Sequence, residues 1–322
     1  MGYALTDFTD VADLTAQVTR LTNAAFAEYE GAMEVDEAWT AWYLQRPGTD
    51  PALCQAALDG DRLVSQVLVC VQDLHIGGER ARCGIIDSVA TYPEHRRQGL
   101  ARGLMERAHE AMEGAGIEAS VLYTNPAGQP YRFYERLGYL TRAQGAMFMG
   151  PRPDGGGCAP APVDAAEHGP ALRALLDGYF AGYEGYAPLD EALWRWHRLD
   201  PPGEAPTIIA EMTAAGPIST ATFARADLKL PSGTHTVSAA YDLAAEVMNA
   251  DQVHSLLAAA PEETVLLILD EAAPECQMLG DLGLEREVGE AAMVLPFAAH
   301  VRDALAEHHG PWYFMVESLV GV

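Results

Sequence analysis

Pro93-Glu-His-Arg-Arg-Gln-Gly-Leu-Ala-Arg102 is the stretch on which the reading of this chain turns, because of what stands on either side of it. Before it, Arg82 to Thr91 reads as a strand that Pro93 stops. After it, Leu100, Leu104, Ala108 and Ala111/Met112 recur at helical spacing, and Gly114 and Gly116 supply a stop. The loop therefore delivers the chain into the first turn of a helix. Backbone N–H groups there lack intrahelical partners and the macrodipole is positive, so a phosphate group is well received. Gly99 leaves room for close approach. Arg96, Arg97 and Arg102 set three of the chain's 20 basic residues around one turn of a protein with 46 acidic ones. No Gly-Lys-Ser/Thr follows, so the loop is not of the Walker type. Taken alone, such a stretch reads as an ordinary helix start with solvated arginines.

Working outward, Ala12 to Glu28 and Asp36 to Leu44 have helical apolar spacing, and Asp61 to Ile76 alternates as a long strand. Gly77-Gly78 turns it into a hairpin with Arg82 to Thr91. Downstream, Val121 to Thr124 is a short apolar strand, Pro130 to Leu137 a short helix ending at Gly138, and Ala146 to Met149 another strand. Strands and helices in this order predict an α+β domain whose mixed, α/β-type sheet is flanked by helices.

The second informative stretch is Tyr131-Arg-Phe-Tyr134-Glu-Arg-Leu-Gly138-Tyr139. Strand, Arg96-x-x-Gly99-x-Ala101, helix, strand and Phe133-Tyr134-x-x-x-Gly138-Tyr139, in that order from about Ile85 to Met149, resemble the GNAT superfamily of acyl-coenzyme A dependent N-acyltransferases. The resemblance implies that Val89, Ala90 and Thr91 pair with the pantetheine arm. It implies that Arg97, Gln98, Gly99, Leu100, Ala101 and Arg102 hold the pyrophosphate, chiefly through main-chain N–H groups, and that Asn125 is a polar contact near the coenzyme. Tyr134 matches the family's general acid. A phenol is protonated at neutral pH and can donate to a departing thiolate, whereas a core tyrosine on an apolar helix face is the plain reading.

The chain also repeats itself. Phe26 to Trp42 and Phe180 to Trp196 share nine of seventeen residues at an offset of 154. Nearer the end of each half the offset is 145, where Leu137-Gly138 meets Leu282-Gly283. Gly150 to Gly157 has the composition of a linker. With 322 residues and ~150 residues per domain, this predicts two tandem GNAT folds, a catalytic one over 1–150 and a degenerate one over 151–322. In the second copy Tyr134 is replaced by Leu279 and Tyr139 by Leu284, and the place of the arginine loop is assigned to Tyr241 to Asn249, with Asp242 and Glu246 repelling a phosphate. Among tandem members the motifs look like those of the Eis-type acetyltransferases, at a length that is short for that group's extra C-terminal domain.

Composition bounds the rest. A net charge of −26 disfavours nucleic acid. No apolar run approaches the ~20 residues of a spanning helix, and the N-terminus lacks a secretion signal, which predicts a cytoplasmic protein without a membrane partner. Five scattered cysteines without a Cys-x-x-Cys pair, and ten histidines without ligand spacing, predict reduced thiols and no metal. Glu30, in the repeated Tyr-Glu-Gly, is a weak candidate to bind or deprotonate an acceptor amine, with a role in helix packing an equal reading, and Asp87 is a weak candidate for acceptor contact and, with His75, for a base; strand alternation sets Asp87 on one face with Val89 and Thr91. The expected function is transfer of an acetyl group from acetyl-coenzyme A to a primary amine of a small molecule, for which the acidic surface suits a cationic acceptor and a homo-oligomer is compatible. The alternative is a non-catalytic acyl-coenzyme A sensor or scaffold, which needs the arginine loop but not Tyr134.

Overall fold

The long alternating run folds back on itself at Gly77 and Gly78, both at positive φ, and the resulting hairpin is the frame on which the rest assembles. The computed structural model describes residues 2–28, 34–155, 160–230, 233–308 and 310–314. In chain order the first half contains β1 (Ala4–Asp7), α1 (Leu14–Phe26), α2 (Glu37–Leu44), β2 (Gln55–Asp59), β3 (Arg62–Ile76), β4 (Glu79–Thr91), α3 (Leu100–Gly114), β5 (Ala119–Thr124), α4 (Gln129–Arg136) and β6 (Leu140–Pro151). The second contains β7 (Ala161–Pro162), α5 (Ala165–Tyr179), α6 (Glu191–Trp194), β8 (Thr207–Thr213), β9 (Gly216–Leu230), β10 (Gly233–Ala245), α7 (Ala250–Ala258), β11 (Thr264–Asp270), α8 (Glu275–Asp281), β12 (Glu285–Pro296) and α9 (Ala299–Glu307). The order of elements in the first half returns in the second. Helices flank a mixed sheet, as the sequence predicts.

All twelve strands form one sheet in the order β1-β2-β3-β4-β5-β12-β6-β11-β10-β9-β8-β7. β4 with β5 and β10 with β11 are parallel pairs, and the remaining neighbours run antiparallel. The last strand of each half lies against the other half: β12 pairs with β5, and β6 with β11. Where they meet, Leu140 opposes Val294 and Met149 opposes Glu285. The offset of 145 converts one pair into the other, which is the signature of a two-fold relation. The repeated tryptophan confirms it independently. Trp42 and Trp196 stack at 4.2 Å, and each indole N–H donates to the other's carbonyl, at 3.0 and 2.9 Å.

Two expectations need correction. Gly150 and Pro151 are not linker but the end of β6, because their backbone pairs with Val265 and Thr264. The run Trp312 to Val320, whose apolar sequence reads as a long strand, is not one in its described part: Trp312 forms a single bridge to Glu184, and 315–322 lie outside the described residues. This segment is held by side chains instead. Trp312 sits where only Gly185, at φ +73°, allows it, since a Cβ there would lie 2.3 Å from the indole.

Alternation sorts the first half's residues onto two faces. Leu74, Cys83, Ile85 and Val121 face α9 and the C-terminal Trp312 and Phe314. On the same face Gln66 donates to Thr22 of α1. Ile86 and Leu122 look the other way, toward Leu104, Met105 and Met112 of α3 and Tyr134 of α4.

Candidate active site

β4 and β5 pair only from Cys83 to Ile85 and from Ala119 to Val121, and beyond that they part. The parting coincides with a bulge on β4. Leu68 opposes Asp87 but Gln66 opposes Ala90, and Ser88 takes up the extra residue at φ +45°. The bulge resets the alternation, so Asp87 shares a face with Ala90 and not with Val89 and Thr91 as simple alternation predicts. Asp87 therefore looks toward α1 and the C-terminal segment. Thr91 lies on the α3 side, where its hydroxyl is 2.7 Å from that of Ser65, and Ser65 also donates to the Ala90 carbonyl. From Ile86 to Thr91 the edge of β4 that faces β5 has no strand partner among the described residues, which leaves that edge open to pairing with a ligand.

The opening leads to the N-terminus of α3. Gly103 is the first residue to close an intrahelical bond, to the Gly99 carbonyl, which leaves the N–H groups of Leu100, Ala101 and Arg102 unpaired within the helix. Gly99 stands at the N-cap position at φ +80°, gives no side-chain cap, and has open space where a Cβ would be. Arg97, itself at φ +63°, is exposed. Gln98 accepts from the Tyr3 hydroxyl at 3.0 Å, and Arg102 pairs with Glu106 at 2.8 Å on the surface. Arg96 has another task. It reaches Glu28 and the carbonyls of Ala25 and Thr91, and so ties the loop to α1.

Tyr134 is buried on α4, with Tyr139 edge-on at 5.9 Å. The Tyr139 hydroxyl joins Ser120 of β5 at 2.6 Å and His109 of α3 at 2.9 Å, locking helix, strand and the turn after α4 together. Asn125, exposed just past β5, uses its carbonyl oxygen to accept from the Ala127 N–H at 2.8 Å and so shapes the turn into α4. Desolvation lowers His109 to about 4 against a weak opposing effect of Glu106, and it raises the Tyr139 phenol. The unfolded chain then takes up a proton near 6.5 that the folded one refuses until about 4, so stability falls as pH drops through that window. His109→Gln is expected to flatten the fall in urea midpoint between pH 7 and 4.5; His197, also lowered by burial, leaves a residual slope. An unchanged slope would show that His109 is charged in the fold.

On the opposite face of the opening lies a group that sequence reading missed. Glu290 of β12 follows a bulge at Gly289, next to Ala291, which opposes Thr124 at the end of β5. Desolvation first, and the Asp87 carboxylate second, raise it to about 7. Asp87 itself accepts from the Ser88 N–H at 2.6 Å. His75 is far from this place, near the β3–β4 turn, where its ring meets Tyr186. Glu30 lies outside the described residues; its counterpart Glu184 braces the β3–β4 turn by accepting from the Gly77 N–H at 2.7 Å.

The second half repeats the geometry and closes it. β10 and β11 part after Ala240 and Leu267, and Asp242 sits in the matching bulge at φ +55°. Tyr241 to Ala245 are strand, not loop, and Asp242 is buried in an ion pair with Arg198, so it repels nothing. The C-terminal segment bridges the gap, with the Tyr313 hydroxyl on Asp242 at 2.8 Å and the Trp312 N–H on Asp270 at 2.6 Å. At α7, Asn249 caps the N–H groups of Asp251 and Gln252. Two of the first-turn N–H groups that a phosphate would use are thereby taken.

Residues 11–141, which carry the open copy of this geometry, match the family model described as acetyltransferase (GNAT) domain. By that match this segment is similar to GNAT acetyltransferase domains. Over 90 residues the chain is 36% identical to N-alpha-acetyltransferase 30 of Schizosaccharomyces pombe, a stretch that covers 28% of this chain and 58% of that one. The chain thus spans little more than half the length of this relative. Two solved structures share the fold of nearly the whole chain. A probable N-acyltransferase from Enterococcus faecalis superposes with a TM-score of 0.67 at 14% identity, covering 94% of this chain and 74% of its own. A GCN5-related N-acetyltransferase from Anabaena variabilis gives 0.66 at 16%, covering 91% and 72%. No helix among the described residues is long and apolar enough to cross a membrane.

Proposed function

We propose that the chain moves an acetyl group from acetyl-coenzyme A to a primary amine, with one working site per chain, in an arrangement like that of the Eis-type tandem acetyltransferases. The observation that carries this reading is the contrast between two equivalent places: α3 starts at an uncapped glycine beside an open strand gap, whereas α7 is capped by Asn249 and its gap is filled. Residues 1–150 are then the catalytic unit, and 151–322 a degenerate copy that completes the sheet. The first-turn N–H groups and Arg97 and Arg102 suit a pyrophosphate, and the free edge of β4 at Val89 to Thr91 suits the amides of a pantetheine arm. Bound coenzyme supplies an acyl group activated as a thioester. Tyr134 holds the proton that the sulfur needs on leaving. The acceptor enters from the α1 face, where Asp87 and Glu290 favour a cationic amine; in the reducing cytoplasm the free cysteines stay as thiols.

Calorimetry with acetyl-coenzyme A is expected to give one site per chain and an affinity that weakens with salt. Gly99→Glu with Arg97→Glu removes charge-assisted contacts worth ~1.5–3 kcal/mol each, so affinity should fall by about 100-fold or more. Two sites per chain, or an unaltered affinity in the double variant, would refute the assignment.

A further inference from the structure

We propose that Glu290, carried into the first half by the exchanged strand β12, is the general base that takes the proton from the acceptor amine, with Asp87 across the gap setting its basicity. The inference rests on the site reading above and adds a residue to it from the other half of the chain.

The geometry comes from where β5 stops. Its last residue, Thr124, opposes Ala291, so Glu290 stands one position beyond the end of β5. Ile85 pairs with Val121, so Asp87 stands level with Tyr123 on the other side of the parting strands. Between Asp87 and Glu290 the sheet has no complete strand. Both carboxylates lie on the α1 face, opposite the face that carries α3 and Tyr134, so a thioester in the gap has an acid on one side and a base on the other. The backbone of Glu290 is held in place: its carbonyl accepts from the Gln144 amide at 3.4 Å and would lie 2.8 Å from a Cβ at position 145, where Gly145 carries none.

Among the charged groups around it, Arg286 is paired with Glu271 and Arg142 reaches the His308 carbonyl, whereas Asp87 is the one whose charge acts on Glu290. Burial and that like charge bring Glu290 to about 7, where a base is both free to accept and strong enough to do so. The proton balance closes. An alkylammonium gives one proton to Glu290, which passes it to solvent, and the freed nitrogen bonds to the acyl carbon. The C–S bond breaks, the sulfur takes the Tyr134 proton, and the second proton lost from nitrogen returns to Tyr134 through solvent.

The test uses the full chain, acetyl-coenzyme A and spermidine, or the primary amine of a panel that turns over fastest. Glu290→Gln is expected to bind acetyl-coenzyme A like the wild type and to lose 10² to 10⁴-fold in kcat/KM, together with the limb of the pH profile that rises toward 7. Asp87→Asn removes the charge that raises Glu290, so the limb should move to lower pH. Infrared titration of the carboxyl stretch reads the same group without turnover: a band with its midpoint near 7 should vanish in Glu290→Gln and shift down in Asp87→Asn. A Glu290→Gln enzyme that binds the coenzyme and keeps the wild-type rate and profile overturns the role of Glu290 alone. A wild type that binds no acetyl-coenzyme A, or transfers to no amine, overturns the site reading and this inference with it.

Discussion

Residues 1–150, expressed without the rest of the chain, are expected to lose the monomeric fold. In the structure β6 pairs only with β11 and β12, both of which the truncation removes, so β5 and β6 are left two strand spacings apart with open edges. The loss in packing is large as well. Met293, Val294, Val301, Leu305, Trp312 and Phe314 are buried in clusters shared with the first half, and a side chain of this size contributes ~1.5–3 kcal/mol when buried. Removing them takes away about as much as the ~5–15 kcal/mol that holds a typical domain folded. The two-fold relation offers the fragment one way out, since a second copy could lend its own β6 in the place of β12. Size-exclusion chromatography should therefore show dimers or aggregates, without a cooperative unfolding transition at the monomer position. A monomeric fragment that unfolds cooperatively and turns over at the full rate would show that the halves are independent, and it would exclude any role for Glu290.

Much of the first half could be read from the chain because its signals are local. Asp36 caps α2 through the Trp39 N–H, Gly77 and Gly78 make the turn, and Gly138 and Gly283 end their helices at positive φ in equivalent places. The repeat offset likewise found the two tryptophans that meet on the axis. What could not be read is which copy of a repeated strand pairs with which, because β6 and β12 present equivalent apolar patterns to either partner and only the assembled sheet decides. The same limit hid Glu290. Within Glu285 to Pro296 it is one acid among several ahead of the apolar run Ala291 to Leu295, and in a half read as degenerate it gave no motif. The bulges at Ser88 and Asp242 left no mark either: a one-residue insertion in a strand changes no composition, yet it sets Thr91 on the face opposite Asp87 and interrupts the pairing of β10 with β9 at Asp242. Asp242 is instructive in a further way. Read as a repelling charge, it is in fact neutralised by Arg198, a partner 44 residues away that no local pattern announces.

Tyr134→Phe is expected to leave folding and coenzyme affinity nearly as they are and to reduce kcat by ~10² to 10⁴-fold. The ring is what the structure packs: it is buried on α4 and contacts Phe133 and Tyr139, and phenylalanine keeps those contacts. The hydroxyl is what the proposed chemistry uses, because a thiolate leaving an acyl carbon gains from a proton delivered as the C–S bond breaks. Tyr139 cannot take over, since its hydroxyl is committed to Ser120 and His109 on a buried site. Leu279, at the equivalent position of α8, gives the control, and Leu279→Met should change neither stability by much nor kcat. The decisive measurement is kcat under single-turnover conditions, where product release does not mask the chemical step. If Tyr134→Phe turns over at the wild-type rate there, the hydroxyl serves packing and the sulfur leaves unassisted or through water. Retained coenzyme binding with that result would fit a protein that senses acyl-coenzyme A through the α3 loop.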